Sequence, residues 1–129
     1  MKRSLLVLAA LAASALVAGF AHADVYDVQI QNFAFNPSTL TIAPGDSVRW
    51  TNLDAIPHTS TSGVDCTSDG LWDSGTLNQG DTFVWVASGA GDYYYFCSLH
   101  CPMMEGEIEV EAETATESTT WGQVRAIYR

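Results

Sequence analysis

The sequence predicts an all-β protein, a Greek-key antiparallel β-sandwich with a short C-terminal tail. Three observations carry that expectation. Between residues 25 and 111 apolar and polar side chains alternate with a period of two, and β-branched and aromatic residues are frequent. Clusters of Pro, Gly, Asp and Asn punctuate the alternation at short intervals. No helical stripe competes with it, and regular short strands over about 90 residues suit a sandwich with Greek-key connections.

Taken in order, residues 25–32 set Tyr26, Val28, Ile30 and Asn32 against Val25, Asp27, Gln29 and Gln31. Leu40 and Ile42 alternate with Thr39 and Thr41, and Pro44-Gly45-Asp46 turns the chain into 47–52, which alternates around Val48 and Trp50. Gly80-Asp81 introduces a strand at 82–87, and the glycines at 89 and 91 introduce one at 92–97. The last strand, 105–111, points Ile108 and Val110 one way and Glu107, Glu109 and Glu111 the other. Trp50, Phe83, Trp85, Tyr94 and Phe96 are expected to fill much of the core. Residues 56–75 read differently. They are rich in Thr, Ser, Gly and Asp and carry Pro57-His58 and Cys66, which predicts a strand edge followed by a long functional loop.

The two ends have other roles. Lys2 and Arg3 precede a nearly unbroken Leu/Val/Ala run at 5–17, and Ala21-His22-Ala23 offers small residues at −3 and −1. Residues 1–23 therefore read as a signal peptide cleaved before Asp24. The run falls short of the roughly 20 residues of a membrane span. The expected product is periplasmic or secreted, with no membrane span after cleavage. Residues 24–111 form one domain, and 112–129 read as an acidic, Thr-rich linker and a short tail. In that tail Thr120-Trp121-Gly122-Gln123 matches a helix capping box.

Charge narrows the partners. After cleavage three arginines face fifteen acids, which leaves −12 and no lysine at all. Such a surface repels nucleic acid and anionic membranes. It suits a basic partner or simply keeps an exported monomer soluble. Cysteine count then gives the first chemical clue. Cys66, Cys97 and Cys101 are an odd set in an oxidising compartment, so one thiol has a separate task or bridges to another molecule.

Only two histidines remain after cleavage, His58 and His100. His100 lies three residues after Cys97, with Met103 and Met104 close behind. A strand that ends in Cys, turns through His and meets Met can aim three side chains at one ion. Two imidazoles and a thiolate with a weak axial thioether form the blue-copper electron-transfer set. The second imidazole must come from His58, at a loop edge after Pro57.

Asn36-Pro37, Pro44-Gly45-Asp46, Val48-x-Trp50-x-Asn52, Pro57-His58-Thr59, Tyr95-x-Cys97-x-x-His100 and Met104-x-Gly106 resemble the cupredoxin family in its plastocyanin–azurin branch. The resemblance covers residues 25–110. It implies a cupredoxin-like sandwich with one copper ion at one end, bound equatorially by His58, Cys97 and His100 and axially by a methionine. Met104 is the better axial candidate, because the family commonly has Met-x-Gly as its last strand opens; Met103 would fit shorter loops. With Cys97 on copper, Cys66 and Cys101 become an even pair, and a disulfide between them would staple the long loop to the ligand loop. The rival is a dinuclear copper centre using Cys97 and Cys101. It also needs a histidine eight residues after the first cysteine, where this chain has Glu105.

The function implied is one-electron carriage between redox proteins, not catalysis. A copper oxidase or reductase needs further ligands, usually histidines, and none remain, although a variant with an open coordination position stays on the table. Copper delivery or storage is the other alternative, and it normally uses more exposed, exchangeable sites.

Overall fold

The structure, a computed structural model, describes residues 23–112. Residues 1–22, which are nearly all of the expected signal peptide at 1–23, and residues 113–129, with the capping-box motif, lie outside the described residues. Nine strands form two sheets, and no helix is present among the described residues. They are β1 (Val25–Ile30), β2 (Phe35–Asn36), β3 (Thr39–Ile42), β4 (Ser47–Asn52), β5 (Thr61–Val64), β6 (Thr67–Asp73), β7 (Thr82–Val86), β8 (Gly91–Phe96) and β9 (Glu105–Val110). One sheet has the order β2-β1-β4-β7 and the other β3-β9-β8-β5-β6.

The sandwich is the expected one, with two pairings that alternation cannot reveal. β1 pairs with β4 and β3 pairs with β9 in parallel, whereas every other pairing is antiparallel. Parallel neighbours need a long crossover. Between β1 and β4 the chain leaves for the second sheet, lays down β3 and returns through the Pro44-Gly45 turn, where the Asp46 N–H donates to the Ala43 carbonyl at 3.0 Å.

Between the sheets lie Val28, Ile30, Val48, Trp50, Ile108 and Val110, all nearly or fully buried. Phe35, Trp72 and Tyr95 join them, with Phe83 and Trp85 packed half-buried against the cluster. The expectation for β8 holds for Phe96, which is buried, but not for Tyr94. Tyr94 is 44% exposed, whereas Tyr95 is buried against Trp50, with ring centroids 5.2 Å apart. Three consecutive tyrosines alternate with nothing, so the pattern of that strand contains no phase. Burial holds the Tyr95 hydroxyl far above its ordinary pKa. Its ring also lies across Gly106 on β9, so that a Cβ there would overlap the Tyr95 ring. That contact explains the glycine in Met104-x-Gly106.

Residues 56–75 are not a loop. Most of the stretch is the β5–β6 hairpin, with Thr61 and Ser62 buried on β5 and Ser60 buried just before it. Their polarity hides the strand in sequence, but each hydroxyl has a partner. Ser62 Oγ accepts the Trp72 backbone N–H at 2.9 Å, and Ser60 Oγ accepts the Trp72 indole N–H at 2.9 Å. Gly63 sits at the bulge with φ +141°, where a Cβ would strike the Thr67 carbonyl. At the tip Asp65 and Cys66 both have positive φ, 49° and 61°, as a tight hairpin turn requires.

Candidate metal centre

The centre forms where three chain segments meet at one end of the sandwich. The first is the loop after β8. Cys97, fully buried, follows the inward-facing Tyr95 by two residues and shares its side of the strand. The chain then winds through successive turns: the His100 N–H donates to the Cys97 carbonyl at 3.1 Å and the Met103 N–H to the His100 carbonyl at 2.9 Å. The Cys97 N–H donates to the Met104 carbonyl at 3.1 Å, closing the loop as β9 opens.

The second segment follows β4 and ends in His58, which is fully buried. Asn52 organises it. Its side-chain amide donates to the carbonyls of Ile56 and Leu77 at 2.9 and 2.8 Å, and its Oδ1 accepts the Asp54 N–H at 2.8 Å. His58 and Leu77 exchange backbone hydrogen bonds as an isolated bridge. The third segment is the turn between β1 and β2, where Asn32 and Phe33 both have positive φ.

These segments bring three donors together. Cys97 Sγ lies 3.8 Å from His58 Nδ1 and 3.4 Å from His100 Nδ1, and the three donor atoms are all within 4.8 Å of one another. An ion at bond lengths near 2.0–2.3 Å needs nitrogen and sulfur donors about 3–4 Å apart, so the donor set fits a metal. Two imidazoles and a thiol are also the donors that copper prefers. Residues 22–111 match the family model of copper-binding proteins, the plastocyanin/azurin family. The chain belongs to that family.

Its relatives agree. Amicyanin-alpha of Methylorubrum extorquens is 35% identical over 108 residues, covering 80% of this chain and 87% of that protein. The chloroplast plastocyanin of Tetradesmus obliquus is 38% identical over 72 residues, 51% of this chain and 50% of the plastocyanin. Among solved structures, a novel purple cupredoxin from Nitrosopumilus maritimus superposes with a TM-score of 0.61 at 33% identity, covering 67% of this chain and 99% of that one.

Within this plastocyanin/azurin-type site the two methionines differ sharply. Met104 is 1% exposed and packs in the same buried cluster as Cys97, whereas Met103 is 64% exposed. Cys66 and Cys101 form a disulfide with Cα atoms 5.8 Å apart, and Cys97 is the free cysteine. The bridge pins the tip of the β5–β6 hairpin to the residue after His100. Cys101 is thereby unavailable as a second thiolate.

Several neighbours of the donors are illegible in the sequence. The Thr59 N–H donates to Cys97 Sγ at 3.3 Å, and Thr59 Oγ1 accepts the Ser98 N–H at 2.8 Å, tying the two ligand segments together. The Phe33 ring meets both imidazoles edge-on, with centroids 5.5 Å from His58 and 5.0 Å from His100. Asp54 Oδ2 lies 2.8 Å from His58 Nε2, and Asp54 also accepts the N–H groups of Asn32 and Phe33. Burial alone would raise the Asp54 carboxyl, but those two backbone donors and His58 outweigh it and hold it below its ordinary value. The only hint of Asp54 in the sequence is its place four residues before a candidate ligand.

Proposed function

We propose that this chain is an exported one-electron carrier with a single type 1 copper ion, held equatorially by His58, Cys97 and His100 and axially by Met104. The observation that carries the reading is the convergence of three buried or half-buried donor atoms within 4.8 Å in a plastocyanin/azurin-family fold. Met104 rather than Met103 is the axial donor because it alone of the two is buried beside Cys97. In this reading residues 1–23 are removed and residues 24–111 form the copper domain.

Bound copper supplies the one-electron couple. The protein's own residues keep the donors still in both oxidation states. His58 is fixed by the backbone bridge to Leu77 and by Asp54, and Cys97 by the turns of its loop and by the Thr59 amide. A site that barely rearranges passes electrons quickly, which suits a carrier. Both histidines of the exported chain are used within it, which leaves no imidazole for a second, oxygen-binding copper.

His100 is the partly exposed donor and offers the route for electrons. Phe33, 40% exposed, touches its ring, and the exposed Leu99 and Met103 flank it along the loop. Such an apolar rim suits brief docking of a redox protein. The surplus of acids steers a partner with a basic surface, at a rate that falls as salt rises.

A potentiometric titration of the copper-loaded chain tests the reading. A reversible couple with one electron per protein, and copper retained against a chelator in both states, is the expected result. Irreversible reduction, or loss of copper on reduction, would favour enzymatic or delivery roles instead.

A further inference from the structure

Away from the metal centre, the outer face of the β3-β9-β8-β5-β6 sheet carries an open groove of about 360 Å³ over β5, β6 and β8. Val64, Leu71 and Tyr94 line it, and all three are large, exposed hydrophobic side chains. A second depression of about 330 Å³ shares Val64 and Tyr94 and continues alongside Glu105 and Glu107. Acids crowd the same face. Carboxylate oxygens of Asp92, Glu107 and Glu109 lie within 4.8 Å of one another, and like charges on neighbouring strands repel. The charge of Glu107, then burial and the charge of Asp92, hold the Tyr94 hydroxyl above its ordinary pKa. No arginine or lysine answers these acids among the described residues. Arg49 is the one such residue there, and it lies on the other sheet, paired with Asp27 at 2.7 Å.

Beyond Arg49 the sequence has two more arginines, Arg125 and Arg129, and no lysine. They stand beside Trp121, Val124 and Tyr128, which helical spacing puts on one face. We propose that residues 120–129 dock in this groove of their own chain, with the apolar face on Val64, Leu71 and Tyr94 and the two arginines toward the surrounding acids. The chain can reach. β9 ends at Val110 opposite Gly91, and Asp92, on the wall of the groove, pairs with Glu109. The groove thus begins one strand away, about 5 Å. The ten residues 111–120 span up to about 33 Å when extended. A tether this short gives an effective concentration in the millimolar range, so an affinity of about 1 mM between the separated pieces fills half of the grooves. A ten-residue amphipathic stretch gains helical stability chiefly by packing its apolar face, and the groove offers that packing. Docked there, the segment closes the groove and leaves Phe33, Leu99 and Met103, none of which lines it, clear for a redox partner. Docking of this kind goes beyond the copper reading and does not depend on it.

NMR of residues 24–129, metal-free or reduced, tests this at low salt. Contacts are expected from the Trp121 indole to the methyl groups of Val64 and Leu71, with amide protons of 120–129 protected from exchange. Both should weaken as salt rises. Leu71→Glu is expected to abolish the contacts while the signals of the buried core stay in place. Arg125→Glu combined with Arg129→Glu should speed amide exchange across 120–129 roughly 10-fold, whereas lysine at both positions should keep most of the protection. Absence of any Trp121 contact to the groove, or exchange as fast as in an isolated peptide of residues 113–129, would overturn the proposal. Contacts that form only as protein concentration rises would also overturn it, because a second copy's segment would then be the occupant. Exchange unchanged by the charge reversal would overturn the pairing with the acids. A chain that takes up no copper sinks the copper reading and leaves every one of these readouts in place.

Discussion

The two halves of the centre are built differently. The loop from Cys97 to Met104 packs two of the three clustered donors and a methionine into eight residues, wound by short-range turns. The segment leading to His58 supplies one donor and depends on partners far away in sequence: Asn52 to Leu77, His58 to Leu77, Thr59 to Cys97. The first half gives an exposed edge through His100, and the second a sealed wall. A site meant to pass electrons without changing shape needs both, one face open to a partner and one fixed by the fold.

The largest effect expected from this contrast separates the two histidines. In the His100→Gly variant, added imidazole should restore the colour of the copper-loaded protein, because the missing ring opens to solvent. In His58→Gly the gap is closed over, and imidazole should restore little or nothing. Equal rescue of both, followed by absorption spectroscopy, would erase the distinction.

Next comes the staple that ties the compact half to the hairpin. The disulfide spans 35 residues, for which chain entropy gives about 4 kcal/mol of stabilisation. Replacing both Cys66 and Cys101 with serine should lower stability in denaturant titrations by about 2–4 kcal/mol. The free Cys97 should then bind copper with a less defined spectrum, because its loop is no longer anchored.

Gly106→Ala probes the seam where the compact half enters β9. A methyl group there meets the buried Tyr95 ring, which has nowhere to go, so overpacking should cost about 1–3 kcal/mol. A variant as stable as wild type would mean that the ring can shift.

Tyr95 itself gives a pH signature. Its folded-state pKa is raised by burial above the ordinary 10.0. Folded protein therefore keeps a proton that the unfolded chain releases, and stability is intact below pH 10 but falls above it. The loss should approach about 1.4 kcal/mol per pH unit, and Tyr95→Phe should remove that slope in alkaline thermal melts. The smallest effect belongs to the Asp27–Arg49 pair, on strands of the opposite sheet and solvent-exposed on both sides. Asp27→Asn should leave both stability and copper binding within experimental error.

How much of this was legible follows the same division. Cys97 and His100 stand within one short motif, and His58 is the one other histidine after residue 22, so parity and inventory name the three residues whose donor atoms converge. The family's Met-x-Gly pattern points to Met104, the buried one of Met103 and Met104. The alternation in β1, β4 and β9 is clear because each strand has one wet face. It fails in β8, where Tyr93, Tyr94 and Tyr95 share a chemistry and only the inward Cys97 fixes the phase. It fails again at 60–62, where buried hydroxyls imitate a loop until their partners in β6 and beside it are known. Asp54 and Phe33 are invisible for a third reason: their roles exist only through a turn that closes across 21 and 22 residues. Pairing across the fold, not residue type, creates that part of the site.

The central claim is a mononuclear copper centre with Cys97 as its thiolate. The visible spectrum of residues 24–129 with one equivalent of oxidised copper tests it most directly. An intense thiolate-to-copper band that bleaches on reduction, survives loss of Cys66 and Cys101 in altered form, and vanishes in Cys97→Ala is the result predicted. A colourless product, a band that persists without Cys97, or the signature of two coupled ions would contradict it.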